Sequence, residues 1–364
     1  MPQVVIGNRR NWVTRILLDR NENHFGPAPA CLELMRQVDV EWLYGYSRDF
    51  EQGRYSPLST ALASRHGLNE DEVLLGYGCE DLLKEAVHFH LGSRGTMLIP
   101  SASWWFYRVV ASEVQGTTVE YPVYRDGDQY RCDLDELIAL TRRTAPRLVL
   151  IASPNNPTGS SIGRSDLERF LTEFATLPVV LDQAYHGFLD EDEGPDPFAQ
   201  LVRRFPNLLV LRTFSKLHAL AGARIGYAFT GARHGGLRRF QTRHLGFNRL
   251  SERLALAALD SGDYYAAVRR RFSVERERVR DFFSRQPDVT CFRSDANFLL
   301  VEMPPGAACE AHRALAESGL VVKRFDEPAF RDCLRISLGT EAENSALLHA
   351  WTEAMPLARA ATAR

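Results

Sequence analysis

Six short, mostly apolar runs through the middle of the chain do most to constrain its fold. They read Thr96–Pro100, Thr117–Tyr121, Leu148–Ala152, Val179–Asp182, Leu208–Thr213 and Ile225–Phe229, with helical patterns between several of them. A further unit, Val73–Val87, is strand, glycine turn and helix, with Leu82, Leu83, Ala86 and Val87 on one helical face. Strands alternating with helices predict an α/β fold around a mostly parallel sheet, whose ligands sit outside the carboxyl ends of the strands. After about Ala232 the pattern changes. A long charged helix over Asp263–Arg285 leads to short strands at Val289–Phe292, Phe298–Val301, Val321–Arg324 and Cys333–Ser337, with helices around Glu310–Glu317 and Glu341–Ala354. This predicts a smaller α+β domain. Capping boxes are expected at Ser165/Glu168 and at Thr340/Glu343.

Chemistry-bearing side chains gather where the parallel strands end. Ser153-Pro-Asn-Asn-Pro-Thr-Gly follows one run and carries Asn156. Val179-Val-Leu-Asp-Gln-Ala-Tyr ends another and carries Asp182 and Tyr185. The run Leu208–Thr213 leads into Phe214-Ser-Lys, placing Lys216 after Thr213 and Ser215. Arg224 follows, framed by Gly222 and Gly226, glycines that allow two backbones to approach closely. Upstream, Gly76-Tyr-Gly-Cys-Glu-Asp opens a helix whose free N–H groups and positive dipole end suit a phosphate, through Gly78, Cys79 and Glu80. A plain strand–helix connection is the alternative, with Glu80 and Asp81 complementing the dipole. Amide, carboxylate, phenol and amine are together the groups that pyridoxal phosphate needs: a carboxylate for its ring nitrogen, donors for its phenolate oxygen and a lysine for its aldehyde.

These motifs resemble those of fold-type-I pyridoxal-phosphate enzymes of the class I/II aminotransferase kind, nearest the histidinol-phosphate aminotransferase branch, over Leu18 to Leu348. The resemblance implies that Lys216 carries pyridoxal 5'-phosphate, Asp182 keeps its ring nitrogen protonated, and Tyr185 and Asn156 donate to its phenolate oxygen. It implies Trp104 on the ring face, and Thr213, Ser215 and Arg224 on the phosphate beside Cys79. Tyr55 matches a residue that reaches the phosphate in the partner subunit, which implies a homodimer with a shared active site. Arg335, in Cys333-Leu-Arg-Ile-Ser, matches the arginine that receives the anionic end of the substrate; read as a residue, it fits an internal salt bridge equally well. Phe25 stands where the family has a substrate-facing tyrosine, Lys323 where an arginine is usual, and Gln183 where a glutamate is usual. Ala346 stands near where relatives often carry another arginine.

Composition sets outer bounds. A net charge of −2 gives no electrostatic case for nucleic acid or a membrane surface. The six cysteines form no Cys-x-x-Cys or zinc-type cluster, and no apolar run approaches the roughly 20 residues of a membrane span. A cytoplasmic enzyme without a metal is expected, with an arm over 1–35 packing on the small domain, a large domain over 36–235 and a small domain over 236–364. Transamination between an amino acid, or a histidinol-phosphate-like amine, and a 2-oxo acid is the leading expectation. Decarboxylation at the α-carbon, as in threonine-phosphate decarboxylases, and elimination or cyclisation at the β or γ carbon use the same scaffold. A non-catalytic cofactor-binding module, such as the sensor half of a transcription regulator, is the remote alternative; those regulators carry a DNA-binding domain ahead of this fold, and none is expected here. With Phe25 lacking a hydroxyl and Lys323 a point charge, an α-amino acid carboxylate on Arg335 is expected in preference to a phosphate.

Overall fold

The computed structural model describes residues 15–49, 56–189, 196–238 and 245–362. Strands number β1 (Ile16–Leu18), β2 (Val73–Gly76), β3 (Thr96–Pro100), β4 (Thr117–Tyr121), β5 (Val123–Asp126), β6 (Gln129–Cys132) and β7 (Leu148–Ala152). Then come β8 (Val179–Asp182), β9 (Leu208–Thr213), β10 (Gly226–Thr230), β11 (Thr290–Cys291), β12 (Phe298–Glu302), β13 (Leu320–Arg324) and β14 (Cys333–Ser337). Seven form one sheet in the order β2-β10-β9-β8-β7-β3-β4, with β4, β3, β7, β8 and β9 parallel and β10 antiparallel to both its neighbours, β9 and β2. Alternate residues of the central strands enter different cores: Val149, Ile151, Leu208 and Val210 one, Leu148, Leu150, Leu209 and Leu211 the other. Side chains alternate across a strand, so a sheet covered on both faces reads as unbroken apolar sequence. This is why these strands were legible.

The helix Cys79–Leu91 supplies Leu82, Leu83, Ala86, Val87 and Leu91 to the second core. Truncating one of these leucines to alanine costs about 2–5 kcal/mol. A five-stranded sheet, β1-β13-β14-β12-β11, forms the other layer. Its first strand comes from the N-terminal segment and pairs in parallel with β13. Three residues are too few to show a period, so this strand leaves no mark in the sequence.

Other local expectations shift. The helix Arg164–Glu173 starts before Ser165, because the Gly163 carbonyl already accepts from Leu167 N. Glu168 is engaged by Arg164 at 2.7 Å and Arg204 at 2.5 Å, so no capping box forms. The box at Thr340 does form, with Thr340 N donating to Glu343 Oε2 at 2.7 Å and Glu343 N to Thr340 Oγ1 at 3.4 Å. The expected strand at Val289–Phe292 shortens to Thr290–Cys291, and the β5–β6 hairpin was not foreseen.

Candidate active site

A cleft of about 550 Å³ opens at the carboxyl ends of β7, β8 and β9, closed on its far side by β13 and β14. Lys216, Asp182, Tyr185 and Asn156 line it, as do Cys79, Glu80, Trp104, Thr213, Ser215, Arg224 and Arg335. Asp19 and Arg335, 316 positions apart in the chain, share this one cavity.

Asp182 ends β8 and is buried, accepting from Tyr107 Oη at 2.8 Å and Ala184 N at 2.9 Å. Burial raises its pKa above the ordinary carboxylate value, and the Tyr107 hydrogen bond offsets part of that rise. No cation pairs with it among the described residues. Tyr107 is a site residue that the sequence hid inside an aromatic run, Trp104 to Tyr107, whose members suit packing equally well. Being three residues past Trp104 at a helix start is the one signal that could have found it.

Three groups of residues meet at the start of the helix Cys79–Leu91, forming a cup that could hold an anion. Gly78 precedes the helix Cys79–Leu91, whose N-terminus has no side-chain cap hydrogen bond. Arg224, held in the left-handed region at φ 48°, turns its guanidinium back towards Gly78, where a Cβ would stand 2.8 Å from Nη2. Gly226 permits the same approach from below: a Cβ there would lie 2.4 Å from Cys79 N. Gly222 meets no atom within 4 Å of its would-be Cβ, so the expected close approach belongs to Gly226 alone. Thr213 Oγ1 donates to Ser215 Oγ at 2.9 Å on the third side. Burial pushes the Cys79 thiol up to about 12, so it stays neutral beside the cup. Glu80 Oε2 stands 3.7 Å from Arg224 Nη2.

Lys216 is half-buried; its Nζ donates to Arg20 O at 2.9 Å and sits 5.5 Å from the Tyr185 ring centre. The Tyr185 hydroxyl accepts from Asn21 Nδ2 at 2.8 Å. Asn156 Oδ1 accepts from Arg335 Nη1 at 2.6 Å, which turns its Nδ2 away from the arginine. Trp104 packs on Phe106 with centroids 4.9 Å apart, leaving part of its ring in the cleft.

Arg335 is 8% exposed and has no carboxylate partner among the described residues. Its guanidinium donates to Asn156 Oδ1 and the Asp19 carbonyl, its Nε has no partner, and burial lowers its pKa. The internal salt bridge considered from sequence does not form among the described residues. Lys323 is its direct cross-strand partner in the β13–β14 register and also lines the cleft. Gln183 points away, accepting from Arg212, which also pairs with Asp196.

Two expectations fare differently. Phe25 does not line the cleft: its ring packs edge-on against Phe272 at 5.0 Å, with the Arg271 guanidinium 4.2 Å from its centre. The cause is a turn in which Asn23 Oδ1 accepts from Phe25 N at 3.0 Å and directs the ring to the helix Gly262–Ser284. Tyr55 lies outside the described residues.

The donor set fits pyridoxal phosphate. A buried carboxylate lacks a cation among the described residues, an uncapped helix start faces an arginine, and an amine opens to the same cleft. Comparison with known proteins agrees. The family model for aminotransferase class I and II matches residues 15–350. A histidinol-phosphate aminotransferase of Shouchella clausii is 32% identical over 95% of this chain and 91% of its own. A solved histidinol-phosphate aminotransferase from Sinorhizobium meliloti, in complex with pyridoxal-5'-phosphate, superposes with a TM-score of 0.82 at 27% identity, over 94% of this chain and 91% of that one. An L-threonine-O-3-phosphate decarboxylase from Porphyromonas gingivalis shares the fold at TM-score 0.76 and 19% identity, over 93% of this chain and 98% of that one. The chain belongs to the class I and II aminotransferase family.

Proposed function

We propose that this enzyme moves an amino group from an anionic amine of the histidinol-phosphate type to a 2-oxo acid, with Arg335 holding the anionic end of each. The observation that carries this is a buried guanidinium without a carboxylate, open to the same cleft as Lys216 and Asp182. A charge left unpaired in the interior is costly, and an arriving anion relieves that cost. The relatives' names point to a phosphate monoester. The β13–β14 register sets Lys323 directly opposite Arg335 and so supplies a second cation beside it. We therefore revise the preference for a carboxylate.

The enzyme is a pyridoxal-phosphate-dependent transferase. When bound, the cofactor supplies an aldehyde that takes up the amine and a protonated ring that draws off the electron pair left at the substrate carbon. The chain's residues do the rest. Lys216 Nζ holds and moves the proton at that carbon, acting as acid and base by turns. Asp182, ionised, keeps the ring nitrogen protonated, and Tyr107 fixes the carboxylate's direction. Tyr185 and Asn156 Nδ2 donate towards the phenolate oxygen. The Gly78–Glu80 amides, Arg224, Thr213 and Ser215 hold the phosphate, with Trp104 against the ring. Arg335 would hold the anionic end of the substrate and so orient the carbon from which the proton is taken.

The active unit is a homodimer in which Tyr55 of one protomer serves the other, and its place is the cytoplasm. Large apolar side chains before that segment support this: Leu43, Tyr44 and Tyr46 are each about 70% exposed. An arm over 1–35 belongs with the small domain, as the pairing of β1 with β13 supports, with the boundary between the larger units near 235.

The test measures kcat/KM for histidinol phosphate and a panel of amino acids, in the native enzyme and in Lys323→Met. Preference for the phosphate substrate, reduced about tenfold or more in the variant, supports the reading. Equal turnover of plain amino acids, unaffected by the variant, removes it. Released carbon dioxide would indicate decarboxylation.

A further inference from the structure

We propose that Asn21 is a positioning residue that sets the direction of the Tyr185 hydrogen bond, leaving the phenol free to donate into the cleft. The proposal rests on the reading of Tyr185 as a donor to the bound cofactor.

Asn21 follows β1, is 1% exposed and adopts φ 56°, a left-handed conformation that asparagine tolerates better than most residues. Each of its polar groups has a partner. Its backbone N–H donates to Ser337 Oγ at 2.8 Å, and its carbonyl accepts from Asn297 Nδ2 at 3.0 Å. Ser337 Oγ in turn donates to Asn21 Oδ1 at 2.9 Å. The remaining group, Nδ2, donates to Tyr185 Oη at 2.8 Å.

This network has a direction. The Ser337 hydroxyl already accepts from the Asn21 backbone, so its own proton goes to Oδ1. Were the amide reversed, that buried proton would lose its acceptor, and an unmade buried hydrogen bond costs about 1–3 kcal/mol. With Nδ2 fixed as donor, the Tyr185 oxygen is an acceptor on that side. Its own proton must leave by another path, and the phenol donates to no group among the described residues. The charged and titratable groups around it are Lys216, 5.5 Å from its ring centre, together with Arg335 and Tyr107. The Arg335 guanidinium has no lone pair to accept with, and Lys216 and Tyr107 donate elsewhere, to the Arg20 carbonyl and to Asp182. Phe298, whose ring centroid stands 5.0 Å from that of Tyr185 at 82°, packs against the phenol ring and brings no N or O acceptor to it. The N-terminal segment therefore does more than add a strand to the small sheet: it makes Tyr185 a one-way donor.

The experiment uses the holoenzyme and follows the pH midpoint of the bound cofactor's visible absorbance. Glycine accepts φ 56° without strain, so Asn21→Gly removes the side chain and spares the backbone. Tyr185→Phe should raise the midpoint by about 1–2 units, the effect of one hydrogen bond to a charged oxygen. Asn21→Gly should raise it by roughly half as much, and should add almost nothing in the Tyr185→Phe background, because coupled residues are not additive. Ser337→Ala, which frees the amide to turn without touching the cleft, should shift it the same way and carries the test if Asn21→Gly does not fold. A midpoint unmoved by Asn21→Gly and Ser337→Ala, or a shift that persists without the phenol, overturns the proposal. If Tyr185→Phe itself moves nothing, the parent reading of Tyr185 fails first, and this proposal with it.

Discussion

Replacing Arg335 with methionine should separate stability from function. The guanidinium makes two described hydrogen bonds, to Asn156 Oδ1 and the Asp19 carbonyl, and leaves Nε unpartnered. Hydrogen bonds to a charged group contribute about 1.5–3 kcal/mol each, so their loss costs roughly 3–6 kcal/mol. Against that, the variant no longer buries a charge that lacks a counter-ion, a burden of several kcal/mol. The two nearly cancel, and urea unfolding at fixed cofactor concentration should find Arg335→Met within about 2 kcal/mol of the native enzyme. Catalysis has no such compensation. A fork gripping an anion through two charge-assisted bonds gives about 3–5 kcal/mol, which at 1.36 kcal/mol per decade is roughly 10²–10⁴ in kcat/KM. The loss should be confined to anionic substrates; an amine lacking the anionic group should be used about equally by both enzymes. The reasoning is refuted if Arg335→Met loses 3–5 kcal/mol of stability, the signature of a broken internal ion pair, and slows charged and uncharged amines alike.

Two further outcomes follow from the geometry. Gly226→Ala puts a methyl 2.4 Å from Cys79 N and must displace the helix start, so cofactor affinity by equilibrium dialysis should fall about 10–100-fold; unchanged affinity would remove Cys79 N from the anion cup. His234, held between the Asn207 carbonyl and the His90 ring, is kept neutral by burial down to about 4, as His66 is to about 4 and His90 to about 3. Between pH 6.5 and 4 the unfolded chain binds protons that the native state refuses, so this stability is complete above 6.5 and lost as pH falls. His234→Gln should flatten that acid limb by about 1.4 kcal/mol per pH unit, and a limb unchanged in slope would show that His234 does not titrate on unfolding.

Legibility followed how local the cause was. β7 and β9 read correctly because burial on both faces writes itself as unbroken apolar sequence. That Lys216, Asp182, Tyr185 and Asn156 share one cleft could be read from sequence because each lies at or just past a strand end, where a parallel sheet collects side chains. What stayed hidden depends on distant partners. The role of Tyr107 exists only through Asp182, and that of Asn21 only through Ser337 and Tyr185. Lys323 weighed against a phosphate until its register placed it opposite Arg335. Phe25 misled because a two-residue turn at Asn23 decides which way it faces. Ser165 had the right composition for a cap but stood two residues late, since Gly163 had already taken that position.

The attachment of the cofactor to Lys216 tests the account most directly. The chain has three lysines, Lys84, Lys216 and Lys323, and two of them, Lys216 and Lys323, line the cleft. Borohydride reduction of the holoenzyme, digestion and mass spectrometry will show which one carries pyridoxal phosphate. The account predicts a single modified peptide containing Lys216, absent from a folded Lys216→Ala variant that neither fixes cofactor nor turns over substrate. Cofactor fixed on Lys323 or Lys84, or turnover persisting in Lys216→Ala, would contradict it.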